Sequence, residues 1–193
     1  MPQVLAAACA ALLLAGWGGG ATASGPVPPT PDEPEYPQSL PAEEGTTRCT
    51  HEAGFSVAHP SGWSTNPGEV LPACSWFAAQ PFTVPQASDV RTADITLRVQ
   101  SGADLATALP DETARTTVEV GGRPAVRVEQ VAGPGLWPEG TPVTTYLVDL
   151  GPGGDRSALV ADTVGLPGTD YARNVAVLDA MMRSLVLDGA GRL

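Results

Sequence analysis

Cysteine and histidine supply the most reactive side chains of this sequence, and four of them lie close together: Cys49, His51, His59 and Cys74. Two thiols in an oxidising compartment form a disulfide, whereas two thiolates with two imidazoles can bind zinc or copper tetrahedrally. The spacing of the four residues matches no zinc-finger or zinc-ribbon pattern. We therefore predict a disulfide between Cys49 and Cys74 and no cofactor, with a metal site at the four residues as the alternative.

Familiar catalytic motifs are absent from the sequence. It contains no Gly-x-Ser-x-Gly elbow, no His-Glu-x-x-His pair and no Gly-x-x-x-x-Gly-Lys phosphate loop. Asp111 and Glu112 are adjacent carboxylates, but side chains adjacent in sequence generally point apart. We predict that these two lie in a solvated loop and that the protein is not an enzyme.

One aromatic residue stands apart from the predicted elements. Trp137 lies within Gly133–Gly140, a stretch too rich in glycine and proline to form regular structure. An exposed aromatic side chain on such a loop is a candidate contact for a partner or ligand. The alternative is that Trp137 anchors its own loop.

The first residues are typical of a secretory signal peptide. Val4 to Ala15 form an apolar run shorter than the roughly 20 residues that cross a bilayer, and Ala21-Thr22-Ala23 has the small-x-small pattern of a cleavage site. We predict a signal peptide over residues 1–23, cleaved after Ala23, and no transmembrane helix in the mature chain.

The end of this apolar run bears on lipid anchoring. Leu14-Ala15-Gly16-Trp17 resembles the lipobox of bacterial lipoproteins, in which the fourth residue is a cysteine that carries lipid on its sulfur. Trp17 has no sulfur, so lipid anchoring at this position is not expected, and a lipoprotein altered at this one residue is the alternative. Cys9 leaves with the signal peptide. We predict a secreted, extracytoplasmic protein.

Residues 24–47 differ in composition from the rest of the chain. They combine many prolines with five acidic residues and no basic one. Such a segment cannot bury enough apolar surface to offset its ordering entropy, so we predict a disordered linker. A proline-motif ligand for a partner domain is the alternative. The remaining residues 48–193 have the length of one domain.

The overall charge excludes some partners. The formal net charge is -11, and the chain has no lysine. Binding to nucleic acid requires a basic surface that neutralises phosphates, and anionic lipid headgroups repel an acidic protein in the same way. We therefore expect no nucleic-acid partner.

Most patterns in the domain are those of strands. The segment Ala93–Val99 alternates, with Ile95, Leu97 and Val99 on the predicted core face. Two hairpins are predicted, each around a glycine-rich turn. Their strands are Thr116–Val120 with Ala125–Val131, and Val143–Leu150 with Ser157–Val164.

Two helices are predicted as well. An apolar stripe at spacings of three and four extends from Tyr171 towards Leu187, with Thr169 or Asp170 able to cap its start. A shorter helix is predicted over Asp104–Leu109. The fold class expected is α+β, an antiparallel sheet packed against the C-terminal helix and the short helix.

Three stretches carry a resemblance to a known family: Gly54–Trp63, the turn Val120–Ala125 and the segment Tyr171–Leu187. Together they resemble the PsbP-like fold of actinobacterial envelope lipoproteins such as the LpqN group. The resemblance implies an α-β-α sandwich used for non-catalytic binding. Relatives with that fold include photosystem extrinsic subunits and a nuclear-import factor that binds a small GTPase.

These observations predict an exported, monomeric protein of the cell envelope that binds without catalysing a reaction. Its partner is an unknown envelope protein or a small ligand. One alternative is a carrier of a small apolar ligand or lipid, held in a cavity between the sheet and the C-terminal helix. A second alternative is an uncharacterised hydrolase.

Overall fold

The structure is a computed structural model that describes residues 45–86, 90–151 and 157–188. The predicted signal peptide, with Trp17 and Ala23, and residues 24–44 of the predicted linker lie outside the described residues. The first strand begins at Thr46, just before the predicted domain boundary at Arg48. Among the described residues, no helix is long and apolar enough to span a membrane.

The described residues form two antiparallel sheets and one helix. The small sheet has the order β1-β2-β10, and the large sheet has the order β3-β4-β5-β9-β8-β7-β6. In chain order the elements are β1 Thr46–His51, β2 Phe55–Pro60, β3 Ser64–Thr65, β4 Trp76–Ala78, β5 Ile95–Gln100, β6 Glu112–Val120, β7 Arg123–Val131, β8 Pro142–Asp149, β9 Ala158–Val164, α1 Tyr171–Arg183 and β10 Val186–Leu187.

The first predicted hairpin is confirmed and consists of β6 and β7. Val120 pairs with Arg123, so the loop between the strands has two residues, Gly121 and Gly122. Both have positive φ, +59° and +74°. A two-residue loop with positive φ at both positions follows the twist of the strands, and glycine adopts this conformation without a steric penalty.

The second predicted hairpin is also confirmed. β8 and β9 pair antiparallel from Val143 opposite Val164 to Asp149 opposite Ala158. Residues 152–156 of the predicted turn lie outside the described residues. β9 is buried along its whole length, because both faces of the large sheet are covered at this strand.

The C-terminal helix begins as predicted and ends earlier. The Asp170 side chain caps α1 by accepting a hydrogen bond from the backbone N–H of Arg173 at 3.1 Å. The predicted extension to Leu187 is wrong: α1 ends at Arg183, and Val186 and Leu187 pair with β2. Strand pairing satisfies backbone groups of β2 that a longer helix would leave without partners.

The main core lies between one face of the large sheet and the layer formed by α1 and the small sheet. It includes Phe55 and Val57 from β2, Leu159 from β9, and Leu178 and Met181 from α1, all essentially inaccessible to solvent. Burial of side chains of this size contributes about 1.5 to 3 kcal/mol each. The helix is therefore held by its apolar stripe.

The predicted core face of β5 is correct for two of its three residues. Ile95 and Leu97 belong to the main core, whereas Val99 is 38% exposed near the end of the strand. Thr96, which alternates with these residues and so lies on the opposite face, is also buried. The second face of the large sheet is therefore covered too.

The short helix predicted over Asp104–Leu109 is wrong, since α1 is the only helix among the described residues. The Asp104 side chain accepts a hydrogen bond from the backbone N–H of Ala106 at 2.9 Å, which forms a local turn. Arg115 then donates to the carbonyls of Leu105 and Thr107. The fold class α+β is confirmed, but the α-β-α layering is not, because loops cover the second face of the sheet.

Candidate binding cleft on the second face of the large sheet

A cleft with a volume of about 760 Å³ lies on the face of the large sheet opposite α1. Strand alternation creates its floor, because residues two apart share a face. Val160 and Val164 of β9 and Val143 and Leu147 of β8 line it with apolar surface. We call this space the Trp137 cleft.

Two loops form the walls of the Trp137 cleft, residues 102–111 and residues 132–137. Asp111 joins them, since its carboxylate accepts a hydrogen bond from the backbone N–H of Gly133 at 3.0 Å. Leu105 and Leu109 pack on the second apolar cluster of the domain, which includes Val128. The segment 104–109, predicted as a helix, is therefore part of a loop that forms one wall of the cleft and is held by packing and by the Asp111 hydrogen bond.

Trp137, the residue singled out from the sequence, lies in the second wall and is half-buried. The preceding Leu136 is 72% exposed. Backbone hydrogen bonds of 2.8 Å join Ala132 to Thr141 and Gly140 to Ala132, which closes the base of the loop. The loop therefore presents two large apolar side chains from a fixed base.

A charged cluster lies at one end of the cleft. Asp162 of β9 is bound by Arg91 and by Arg98, the latter at 2.7 Å, and it accepts a hydrogen bond from the Thr96 hydroxyl at 2.9 Å. The Arg91 side chain is 9% exposed, whereas that of Arg98 is 55% exposed. The cluster thus has a buried ion pair and an exposed guanidinium group that faces the cleft.

Two opposing effects act on the pKa of Asp162. Burial raises this pKa. The charges and hydrogen bonds of Arg91 and Arg98 lower it by a larger amount, so the net pKa lies below the usual range. Asp162 therefore remains ionised at neutral pH.

The predicted disulfide is confirmed. Cys49 of β1 and Cys74, just before β4, are bonded, with a Cα–Cα distance of 5.9 Å. Neither sulfur is then available as a thiolate ligand for the alternative metal site. Among the described residues, no group of three or more His, Cys, Asp and Glu side chains is arranged to hold a metal ion.

His51 lies beside the disulfide, stacked on Phe55 with 4.4 Å between ring centroids. Its Nδ1 accepts a hydrogen bond from the backbone N–H of Ala53 at 3.0 Å, so the neutral ring carries its proton on Nε2. That nitrogen lies 3.2 Å from the Ser75 hydroxyl and donates to it. Burial lowers the pKa of His51. This tautomer cannot accept the serine proton, as a general base must.

His59 is buried as well. Its Nδ1 lies 2.9 Å from the carbonyl of Pro60 and donates to it, and its ring packs against Phe77. Burial lowers the pKa of His59. Neither histidine lines the Trp137 cleft.

The adjacent carboxylates do point apart. Asp111 binds Gly133 across the cleft wall, while Glu112 binds Arg115 within its own strand. Glu112 also accepts a hydrogen bond from the backbone N–H of Leu109 at 2.7 Å. Both carboxylates therefore support the loop that forms the wall.

Sequence reasoning missed the cluster around Asp162. A signal was present, since Asp162 is the one acidic residue in β9, whose other residues are Ala, Leu, Val and Thr. A carboxylate in a fully buried strand requires a positively charged partner. Its partners Arg91 and Arg98 are far away in sequence, so the pattern could not identify them.

No protein-family model matches the chain, and no curated protein matches it. A solved structure from Bacteroides thetaiotaomicron is similar to it at 18% identity and a TM-score of 0.43, covering 77% of this chain and 50% of that one. The Ran-binding protein Mog1p of Saccharomyces cerevisiae is similar at 14% identity and a TM-score of 0.41, covering 75% of this chain and 96% of that one. The chain thus spans half the length of the Bacteroides protein. These distant structural similarities carry no statement about activity.

Proposed function

We propose that the protein is an exported, non-enzymatic binding module of the cell envelope, and that the Trp137 cleft is its binding site. The observation that carries this proposal is the exposure of Leu136 beside Trp137 on a loop with a closed base. Aromatic side chains are enriched among the residues that dominate binding energy. A wall that presents two apolar groups next to an exposed arginine suits a partner with mixed apolar and polar surface.

The Cys49–Cys74 disulfide supports export, because such bonds persist in oxidising compartments. Cleavage after Ala23 and kinship with PsbP-like envelope proteins of the LpqN group are parts of the same proposal. The intact mass of the purified protein tests export: it should correspond to a chain that starts at Ser24 without a lipid increment. A fatty-acyl increment would contradict release.

A site-specific photocrosslinker tests the binding site. It is introduced at Leu136 and, as the matched control, at Val186, which is 49% exposed on β10. The protein is expressed in its own cells, irradiated and separated by mass. We expect a discrete crosslinked product for position 136 and none for position 186. Equal products at both positions, or a product at 186 alone, would refute the proposal.

Once the crosslinked partner has been identified, its affinity gives a second measurement. Trp137→Ala should weaken binding by at least about 30-fold, since truncation of a central aromatic residue costs about 2 kcal/mol or more. Val186→Ala should change the affinity by less than about 3-fold, because exposed side chains outside an interface contribute little.

Carriage of a small apolar ligand is the second candidate. The volume of about 760 Å³ favours it, because ligand pockets range from about 300 to 1,000 Å³. The expected location changes, however: this cleft lies opposite α1, whereas the carrier hypothesis placed its cavity beneath the helix. Native mass spectrometry of protein purified without detergent distinguishes the two candidates. A bound mass that disappears in Leu136→Asp, at an exposed position of the cleft wall, would favour carriage.

The hydrolase alternative has less support. A hydrolase of the serine type needs a histidine that accepts the hydroxyl proton. His51, the histidine next to a hydroxyl group, donates to Ser75 instead, and the Ser75 side chain is buried. Substitution of His51 by Gln, which can also donate from its amide, should therefore leave the binding activity of the cleft unchanged.

A further inference from the structure

A second depression adjoins the Trp137 cleft and has the composition of a small-ligand site. Its volume of about 360 Å³ lies within the range of about 300 to 1,000 Å³ that is typical of ligand pockets. We call it the indole groove, because two tryptophans line it. The lining combines apolar side chains with two arginines and includes Trp76, Val90, Leu136, Trp137, Arg91 and Arg98.

The indole groove is positively charged within an acidic protein. None of the described residues that line it is acidic, whereas the chain has a formal net charge of -11. Asp162, which is not part of the lining, binds both Arg91 and Arg98, so that two positive charges meet one negative charge in this cluster. The cluster therefore retains one positive charge, and its exposed member is Arg98, whose side chain is 55% exposed.

The guanidinium group of Arg98 has one edge available for binding. Its Nη1 donates to Asp162 at 2.7 Å and, within the described part of the chain, the group makes no other hydrogen bond. The edge formed by Nε and Nη2 can therefore donate two parallel hydrogen bonds to one carboxylate. Because Asp162 already holds the guanidinium group in place, little conformational entropy is lost when an anion binds.

The two indole rings provide flat apolar surface beside this edge. Trp76 of β4 pairs with Thr96 of β5, and residues paired across strands share a face of the sheet. Arg98 is two residues from Thr96 and so lies on that same face. Trp137 adds the second ring from the loop that covers it. The groove thus places a binding site for an anion next to surfaces on which an apolar body packs.

The charge of the whole chain favours a small acid over an acidic protein as the occupant. A surface with many carboxylates would meet the net charge of -11, whereas a monocarboxylate brings a single negative charge. We propose that the indole groove binds a small amphipathic carboxylate, with its carboxylate on Arg98 and its apolar body against Trp76 and Trp137. This site goes beyond the proposed function, because its occupant is a free acid and not a partner protein.

Two probes of nearly equal size test this inference. They are naphthoate and naphthalenemethanol, which has the same rings and no charge. Each is titrated into the purified protein, and the indole N–H signals are followed in ¹⁵N-correlated NMR spectra, assigned by single Trp→Phe variants. We expect both probes to shift the signals of Trp76 and Trp137 and to leave that of the buried Trp63 unchanged. Naphthoate should bind at least about 10-fold more tightly, because only the carboxylate forms charge-assisted hydrogen bonds with the guanidinium group.

Arg98→Ala isolates the contact with the carboxylate. We expect this variant to bind naphthoate no more tightly than naphthalenemethanol, while an unchanged Trp63 signal shows that it is folded. The matched control is Arg183→Ala, which removes one exposed positive charge from the end of α1, on the other side of the large sheet. The control should retain the preference for naphthoate.

Three results would overturn the inference. They are equal affinities of the two probes for the unmodified protein, a preference for naphthoate that persists in Arg98→Ala, and signal shifts that do not saturate at millimolar concentrations. A capped peptide of alternating glutamate and leucine is the remaining probe. If it binds more tightly than naphthoate, the groove belongs to an acidic partner protein, and the free acid is refuted as the occupant.

The crosslink at Leu136 separates this inference from the proposed function. A discrete crosslinked product without any preference for naphthoate would support the proposed function and refute the carboxylate site. A preference for naphthoate that Arg98→Ala removes, without any crosslinked product, would support the carboxylate site and refute the proposed function.

Discussion

Substitution of Asp162 by asparagine tests the view that a buried ion pair holds one end of the Trp137 cleft. The side chains of Arg91 and Asp162 are 9% and 11% exposed, respectively. Loss of one member leaves a buried charge without its counter-charge, which costs about 3 to 5 kcal/mol. Because asparagine retains an oxygen that accepts hydrogen bonds, we expect a loss of about 3 kcal/mol.

The control for this experiment is Arg98→Ala. Arg98 binds the other oxygen of Asp162, but its side chain is 55% exposed, so its removal should cost no more than about 1 kcal/mol. Urea unfolding followed by far-ultraviolet circular dichroism measures both losses. With a slope of about 2 kcal/mol/M, Asp162→Asn lowers the midpoint by about 1.5 M. Equal midpoints for the two variants would refute the reasoning.

The pH dependence provides an independent check. The pKa of Asp162 is lower in the folded protein than in the unfolded chain, where it is about 3.9. Its stabilising contribution is therefore complete above that value and is lost as the pH falls through the folded pKa. The difference between the unmodified protein and Asp162→Asn should thus be constant near neutral pH and shrink below about pH 4. A difference that persists undiminished at pH 2 would contradict the assigned ion pair.

Four further variants test the framework around the cleft. Replacing both Cys49 and Cys74 by serine opens a loop with a sequence separation of 25 and should cost about 3.5 kcal/mol in urea unfolding. Gly122→Ala should lower the free energy of unfolding by about 1 kcal/mol, because the position has positive φ. Gly121→Ala should lower it by more, because a Cβ there would lie 3.3 Å from the Leu185 carbonyl oxygen. Equal losses for the two variants would contradict this packing. Asp170→Ala removes the cap of α1 and should lower the free energy of unfolding by about 1 kcal/mol, whereas an unchanged midpoint would argue against the cap.

Local patterns predicted the hairpins and the start of α1 because nearby residues determine these features. The two glycines between β6 and β7 meet the backbone requirement of a tight turn by themselves. Asp170 caps the helix through a backbone N–H three residues away. The disulfide was predictable for a different reason: outside the predicted signal peptide the sequence contains a single pair of cysteines, and two thiols in an oxidising compartment form a disulfide.

Longer-range contacts decided the features that the sequence pattern predicted wrongly. The segment Asp104–Leu109 forms no helix, because Arg115 donates hydrogen bonds to the backbone carbonyls of Leu105 and Thr107. A helix of that length is also too short to be stable by itself. The end of α1 depends on β2, which pairs with Val186 and Leu187. Neither partner is visible in a window of neighbouring residues.

The sequence by itself therefore determined the class of fold, the hairpins and the cysteine pairing of this protein. Tertiary structure alone decided where the cleft lies and which charges meet there. Arg91 and Asp162 are 71 positions apart, and their attraction operates only after strand pairing has brought β5 and β9 together. Trp137 could be selected as an exposed loop residue, but its position over the second face of the sheet follows from the packing of two loops that share no local pattern.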